Sequence, residues 1–435
     1  MSDLPALRAP GARSTPTLGR PAPPAATTER RAALRRWWRR RPVNKALVLL
    51  HRWPSLVLGL LLVLECTSGA VLLYHGELFR AGHGSLYHHT ASAHPIQPDQ
   101  AITAVRAAEP GFDASWVATD DGVYAVGDAT YRTVWFVDPG TGHVNGSADT
   151  EGGILGFLVN LHDCAFSCAG YPAYASWMAD PVWSGGPTFL TGITWGGLVL
   201  GVLGLLTILL VATGIKIWWP GVKRLRSRFT VRTDRGRFAR DYDLHNVIAA
   251  VTLPFVLMWG ITGAAFEFPV VEKVWLALTG GDQPGAEIFS LMPNTVPAGT
   301  PAVTPQQAVA AAQARLPGRT AFIGLPTKDA PYYEIDVQTS YGSRAYRAIY
   351  HGDAYVLVDS HDASHLKVLE SGRGEPAANR FYEKYLEPTH FGWNVDGWWR
   401  VIWFVMGLAP LALLVTGVST WLYRRGVRRR RAAAR

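Results

Sequence analysis

Four long apolar segments restrict this chain to folds that cross a lipid bilayer. The segments cover residues 44–75, 193–219, 245–268 and 398–423. Each exceeds the roughly 20 residues that a helix needs to span the hydrocarbon core. Hydrophobic residues make up 48% of the chain, which is close to the value for soluble proteins, so their concentration in four segments carries the signal. We therefore predict four transmembrane helices.

The basic residues predict the orientation of these helices. Lys and Arg number eight, eight and seven in residues 30–45, 223–240 and 424–435, respectively. Residues 76–192 carry only three. Since cytoplasmic flanks are enriched in Lys and Arg, we place loop 220–244 and both termini in the cytoplasm, and the membrane is then the cytoplasmic (inner) cell membrane. The charge of +9 lies in flanks, so we expect contact with membrane lipid and none with nucleic acid.

The two tails have no apolar core. Residues 1–43 are basic and begin with a stretch rich in Pro, Ala, Thr and Arg, which is typical of disorder. Residues 424–435 form a second basic tail. We expect the first span to serve as the signal anchor.

The unit of span, outer segment and span occurs twice in the same orientation. His51 precedes Gly69 by eighteen residues, and His245 precedes Gly263 by the same number. A hydroxyl residue stands before each glycine, and the second and fourth spans share a Thr-Gly step at Thr213–Gly214 and Thr416–Gly417. Such self-similarity indicates an internal duplication.

The outer segments, residues 76–192 and 269–397, each predict a helix followed by strands. One helix opens at Pro98 and the other at Pro305, with Thr304 as its N-cap. Alternating residues then predict strands in YRTVWFVD, before a turn at Pro139–Gly142, and in YYEIDV, RAYRAIY and YVLVD. The predicted fold is a membrane α-helical protein: a four-helix transmembrane bundle from two tandem repeats, with two small extracytoplasmic α+β modules.

Four histidines occupy related positions in the two repeats. His51 and His245 begin spans one and three at the cytoplasmic side, and His162 and His390 precede spans two and four at the outer side. Neutral imidazole is an axial ligand of haem iron, and a polar ring in a span is costly without a partner. We predict two b-type haems, one clamped by each pair. The alternative is that each ring is an interfacial residue bonded to a neighbour or a lipid headgroup.

An insert separates His162 from the second span. His162 lies 52 residues before Gly214, whereas His390 lies 27 before Gly417, and an insert of roughly residues 164–186 explains the difference. The insert contains Cys164 and Cys168, on the side where a disulfide can persist. Cys66 lies in a span and is expected to pack there.

Other residues offer further possibilities. His75 is an alternative outer ligand without a repeat counterpart, and Glu65 inside span one could relay a proton or pair with a polar neighbour. The loop histidines could bind a metal or be solvated: His83, His88, His89 and His94. Tryptophans near span four could form an aromatic belt or the floor of a ligand site: Trp393, Trp398, Trp399 and Trp403.

Several motifs resemble the PepSY-associated transmembrane family, called in part iron-regulated membrane proteins. The resemblance covers about residues 44–425 and rests on LHRWPSLVLGLLL, TGIKIWWPG, DYDLHNVIAAVTLPFVLMWGITGAAFEF, LEPTHFGW and PLALLVTGVSTWLYRR. It implies that the outer modules are PepSY domains. Some members are ferric-siderophore reductases that carry haem, and His51, His245, His162 and His390 match the family's histidines. The insert after His162 departs from the family pattern.

The leading hypothesis is a haem-dependent membrane reductase of ferric siderophores or other ferric chelates. The chain has no dinucleotide fingerprint, so the electron donor would be a separate protein or a membrane quinol. A second hypothesis is a non-enzymatic accessory protein whose PepSY segments bind an extracytoplasmic partner. A third is a transporter subunit, for which only Glu65 offers a polar path.

Overall fold

A computed structural model describes residues 42–434, apart from 187, 189, 220, 222, 224, 227–228, 283–302, 339–353, 371–375, 394 and 396. In chain order the helices are α1 (Pro42–Leu72), α2 (His75–Gly82), α3 (Pro98–Ala108), α4 (Gly153–Cys164), α5 (Trp195–Trp218), α6 (Gly236–Glu267), α7 (Pro269–Thr279), α8 (Pro305–Arg315), α9 (Ala377–Phe381), α10 (Glu387–His390), α11 (Trp398–Gly407) and α12 (Ala409–Ala433). The strands are β1 (Trp116–Asp120), β2 (Val123–Gly127), β3 (Thr133–Val137), β4 (Val144–Asp149), β5 (Arg319–Gly324), β6 (Tyr332–Gln338), β7 (Ala354–Asp359) and β8 (Leu366–Glu370).

Within the described residues, four helical segments are long and apolar enough to cross a membrane. They are Val43–Leu72, Trp195–Trp218, Gly236–Glu267 and Trp398–Ala433. Large apolar side chains on them face outward, such as Val57 at 70% exposure and Val415 at 59%. This exposure is expected where lipid, not water, surrounds a helix. The chain is a multi-pass membrane protein.

Two segments predicted to be loop or tail are helical instead. Helix α6 begins at Gly236, inside the predicted loop 220–244, and α12 continues to Ala433, through the predicted tail 424–435. Arg is a good helix former and is favoured near a helix C-terminus, so a helix can extend past the apolar region.

The fourth span is interrupted at Leu408, two residues before Pro410, because proline lacks the N–H that would continue the hydrogen-bond ladder of the helix. The predicted tail 1–43 lies outside the described residues except for its last two positions.

The eight strands of the described residues form one antiparallel sheet in the order β4-β3-β2-β1-β5-β6-β7-β8. The first outer segment supplies one half and the second supplies the other. The halves join where Val117 of β1 pairs with Ile323 of β5. The sequence predicted two separate modules, whereas the structure pairs their first strands, which would otherwise be open edges. The predicted strand RAYRAIY lies outside the described residues.

The sheet is covered differently on its two faces. Helices α3 and α8 lie on one face, where a single core takes buried residues from both halves, including Val105, Val117, Ala308 and Ile335. The predicted N-cap at Thr304 is confirmed, since its hydroxyl accepts a hydrogen bond from Gln307 N at 3.2 Å, as in an ordinary N-cap. On the other face, Phe79 of α2 packs against the first half. Because α2 directly follows the first span, this contact ties the sheet to the bundle.

Replacing Ile335 with Ala tests whether the two halves share one core. The side chain is fully buried, and its truncation is expected to cost about 2–5 kcal/mol. Amide exchange should accelerate in β2 of the first half as well as in β6, as measured by hydrogen–deuterium exchange mass spectrometry. Gln306→Ala, at an exposed position of α8, serves as the control. Loss of protection confined to β5–β8 would contradict a shared core.

Candidate functional site

The structure brings the four predicted histidines together in two pairs. His51 of α1 and His245 of α6 have ring centroids 6.4 Å apart, with planes at 83°. His162 of α4 and His390 of α10 have centroids 6.2 Å apart, with planes at 43°. We call these the basic-side pair and the sheet-side pair, after the Arg-rich helix ends and the sheet that lie nearest to each. Each pair takes one histidine from each half of the chain.

The two pairs lie at opposite ends of the bundle. His51 contacts Gly214, and His162 contacts Gly69. On α1 the eighteen residues from His51 to Gly69 correspond to about 27 Å at 1.5 Å per residue. The pairs are therefore stacked along the spans, near the two ends of the apolar region.

In the basic-side pair, each imidazole bonds a hydroxyl on a neighbouring span. His51 Nδ1 lies 3.0 Å from Thr213 Oγ1 of α5. His245 Nδ1 lies 3.0 Å from Thr416 Oγ1 of α12 and 3.1 Å from the Leu413 carbonyl oxygen. The two rings are thus oriented by two different helices.

The sheet-side pair repeats this arrangement with one addition. His390 Nδ1 lies 2.6 Å from Thr262 Oγ1 of α6, and His162 Nδ1 lies 3.4 Å from Ser68 Oγ of α1. His162 Nδ1 also lies 2.8 Å from the carbonyl oxygen of Glu65 and 3.1 Å from its carboxylate. One of the two carboxyl roles left open by the sequence, pairing with a polar neighbour, therefore matches the observed geometry.

These contacts define which imidazole nitrogen carries the proton. Each of the four hydroxyls donates its own proton to the carbonyl of the residue four positions earlier in its helix. The hydroxyl oxygen therefore accepts from the imidazole, and Nδ1–H is the donor. In the neutral ring, Nε2 is then the nitrogen with the lone pair.

The glycine after each hydroxyl residue gives the imidazole room. A methyl group on Gly69 would lie 2.4 Å from His162 Cε1, which is closer than atoms can approach. At Gly214, Gly263 and Gly417 the nearest imidazole atom would be 3.3–3.6 Å away. Two further glycines, each ten residues before the Thr-Gly glycine of its span, serve helix contact: Gly204 lies against Ala264, and Gly407 lies against Ala70.

Burial and charge act in opposite directions on His162. Burial lowers the pKa of this imidazole, but the Glu65 carboxylate and its hydrogen bonds outweigh burial and raise that pKa to about 9. Asp163 adds to the same effect. Glu65 and His162 therefore form a coupled pair near the C-terminal end of α1.

A cavity of about 460 Å³ opens beside the sheet-side pair. Bundle, α2 and sheet all contribute to its lining, which is Gly69, Leu72, Leu73, His75, Gly76, Glu77, Arg80, Thr119, Asp120, Asp121, Gly122, His162, Arg319, His390, Phe391, Gly392, Trp393 and Arg400. His75, the alternative outer ligand, is buried and lines this cavity. The imidazole that pairs with His390, however, is that of His162. Arg80 is paired with Asp121 at 3.1 Å.

The sequence reasoning missed an ion pair at the edge of this cavity. Arg400 of α11 is 8% exposed, contacts Glu77 of α2 at 2.5 Å and donates to the Leu73 carbonyl. Its guanidinium also lies 4.7 Å from the centre of the Tyr74 ring. An arginine in the first turn of an apolar span needs a partner, which is the signal that could have found it. The pair fixes the start of the fourth span against the end of the first.

The insert begins with a covalent link close to His162. Cys164 and Cys168 form a disulfide, with Cα atoms 5.6 Å apart, at the end of α4. Asn160 is fully buried, and its side chain accepts from Cys168 N at 3.2 Å and donates to the Pro172 carbonyl at 2.9 Å. His162 is thus carried by a short helix whose end is fastened by the insert.

The remaining candidate residues do not gather into a metal site. His83 stacks on Phe79 with centroids 4.2 Å apart, and His89 bonds the Tyr87 carbonyl. No group of three or more His, Cys, Asp or Glu side chains placed for a metal ion occurs in the described part of the chain. Trp398 and Trp399 stack on each other and are exposed at the start of the fourth span, as an aromatic belt would be.

A matched pair of variants tests the role of the glycines. Alanine raises helix propensity equally at Gly69 and Gly263, but at Gly69 its methyl group would strike the His162 ring, which is held by Glu65. We expect Gly69→Ala to lower the midpoint of thermal unfolding in detergent and Gly263→Ala to leave it unchanged or raise it. Equal midpoints for the two variants would show that the ring does not pack on Gly69.

Comparison with known proteins places the chain in a family. A search of curated proteins found no match to it. The family model described as the PepSY-associated TM region matches residues 48–424, which include two complete spans, most of the first and fourth, both halves of the sheet and both histidine pairs. The chain therefore belongs to the PepSY-associated transmembrane family.

Proposed function

We propose that the protein is a haem-b-containing transmembrane electron-transfer protein. It holds one haem between His51 and His245 and a second between His162 and His390, and it reduces a ferric siderophore or another ferric chelate on the sheet side of the membrane. The spacing within the two histidine pairs is the observation that carries the proposal.

The spacing suits one metal ion between two imidazoles. A bond from a transition metal to imidazole nitrogen is about 2 Å. The nitrogen lies about 1.1 Å from the centre of a ring with bonds of roughly 1.33 Å. Two imidazoles on opposite sides of one ion would have centroids about 6.3 Å apart, and the observed values are 6.4 and 6.2 Å.

The protonation and number of ligands also suit haem. Imidazoles that ligate a metal commonly donate their other N–H to a carbonyl or carboxylate, which orients the ring, and the Nδ1–H groups here have such acceptors. Each site offers two imidazoles and no third protein ligand among the described residues. Haem would supply a one-electron redox couple here, and His51 with His245 and His162 with His390 would be the residues that hold its iron.

The proposal includes the duplicated layout. The two halves would be tandem span–PepSY–span repeats, with the outer segments as PepSY modules. Supporting this, each half contributes a helix followed by four strands, and each pair takes one histidine from each half. The two sites would then be related by the repeat.

We assign the sheet side to the outside of the cell. The basic flanks place both termini in the cytoplasm, and the cavity beside His162 and His390 opens on the other side. A ferric chelate in this cavity would accept electrons close to the sheet-side haem, for iron acquisition. A separate protein or a membrane quinol would supply electrons at the other end of the bundle.

Haem content tests the cofactor assignment. We expect the purified protein to show a Soret band that shifts on reduction and to contain two haems per chain. His245→Ala and His390→Ala should each lose about half of the haem, because each removes one axial ligand from one site. His83→Ala, in a loop away from both pairs, is the control. A colourless protein, or unchanged haem in both variants, would refute the assignment and favour the non-enzymatic accessory protein.

Single-turnover oxidation tests the direction of electron transfer. The reduced protein, freed of reductant under argon, should return to the ferric spectrum when mixed with a ferric hydroxamate chelate, and a ferrous-specific dye should trap the product. His390→Ala should slow this oxidation strongly, because it removes the haem next to the cavity. His245→Ala, reduced chemically, should keep the fast phase. The opposite order would place the acceptor on the basic side.

A further inference from the structure

The sheet-side pair differs from the basic-side pair in the charge of its surroundings. Within the described residues, His51 and His245 bond hydroxyl and carbonyl oxygens, and no carboxylate pairs with either. His162 has the Glu65 carboxylate at 3.1 Å, where both side chains are 18% exposed. A carboxylate and an imidazole this close, and this shielded from water, interact more strongly than a surface pair.

The carboxylate has no counterpart in the second half of the chain. Glu65 stands three residues before Ser68, and the residue three before Thr262 is Trp259. Position for position, the second half therefore presents an indole where the first presents a carboxylate. The repeat supplies two similar imidazole sites, and this substitution makes them unequal.

Other charges near the sheet-side pair do not cancel this difference. Glu267 lies close enough to Glu65 and to Asp163 to interact electrostatically with both, and Asp163 also acts on His162, so these further groups are acidic ones. Two of the three arginines that line the cavity are engaged by carboxylates: Arg400 by Glu77, and Arg80 by Asp121. The net effect on the imidazole of His162 is therefore that of a nearby anion.

We propose that Glu65 is a positioning residue that tunes the sheet-side haem to the lower reduction potential of the two. The inference depends on the haem assignment above. A carboxylate that accepts from Nδ1–H raises the basicity of the ligating imidazole. A more basic ligand and a nearby negative charge both stabilise ferric over ferrous iron, and hydrogen bonding and charge are established means of setting haem potentials.

A low potential next to the cavity matches the proposed acceptor. Oxygen ligands that hold iron(III) tightly make it hard to reduce, so the last donor must be a strong reductant. The haem held by His162 and His390 would give up one electron and be oxidised, and the chelated iron(III) would take up that electron and become iron(II). If the basic-side haem has the higher potential, the membrane potential, negative inside, helps to drive the electron outward.

Glu65→Gln tests the proposal directly. The amide oxygen can still accept from His162 Nδ1–H, so the variant removes charge and keeps the hydrogen bond. In a spectroelectrochemical titration, we expect the lower of two midpoint potentials to rise. The rise should be about tenfold in the ferric–ferrous equilibrium, which is about 59 mV for one electron. The higher potential should stay in place as an internal reference.

Two further variants complete the test. Ser68→Ala removes a neutral and longer contact to the same ring, at 3.4 Å, and should shift the lower potential far less than Glu65→Gln does. Glu65→Asp keeps the negative charge but places it farther from His162, so its lower midpoint potential should lie between those of the wild type and Glu65→Gln. If Glu65→Gln fails to retain haem, the potential of Glu65→Asp tests the proposal in its place. Unchanged potentials in both Glu65 variants, or equal shifts of both haems, would overturn the proposal. Wild-type protein without haem would instead refute the proposed function on which it rests.

Discussion

The structure depends on polar bonds between imidazoles and hydroxyls inside an apolar bundle. A neutral imidazole has one N–H and one lone pair, and burying either without a partner is costly. Here each Nδ1–H is given an acceptor by a neighbouring element: α5 for His51, α12 for His245, α6 for His390 and α1 for His162. The hydrophobic effect does little to select the register of helices that pack against each other in lipid. Hydrogen bonds between helices, together with glycines that allow close approach, can therefore determine that register.

The two pairs are held by different parts of the fold. His51 and His245 lie on long spans, so their separation is set by helix packing. His162 and His390 lie on the short helices α4 and α10, between the sheet and the spans. Because the sheet is a single body with one core on the side of α3 and α8, it links the first half, which carries His162, to the second, which carries His390. Pairing of β1 with β5 thus contributes to the geometry of the site, and both strands also line its cavity, through Thr119, Asp120 and Arg319.

Hydropathy predicted the spans, and the repeat predicted which histidines correspond, because both are properties of local sequence. The same glycines that marked the repeat also contact the imidazoles, but this could not be read from spacing, since it depends on the rotation of each helix against its neighbour. The single sheet was missed for a similar reason: pairing of β1 with β5 joins segments about 200 residues apart and leaves no local pattern. The Arg400–Glu77 ion pair was also missed, although a partner for Arg400 could have been predicted, because a charged residue in a span needs one.

The features that the second half of the chain lacks all lie beside His162. Both His162 and His390 lie on short helices, but α10 comes shortly before its span, whereas the insert separates α4 from α5. A ring on a short, separate helix has more freedom to lose on ordering than one attached to a span. The disulfide and Asn160 fasten the end of that helix, and Glu65 holds the ring itself. In the first half, the disulfide and the Glu65 carboxylate therefore position a histidine that its span does not hold directly. The carboxylate also adds a charge beside His162 that has no equivalent beside His390.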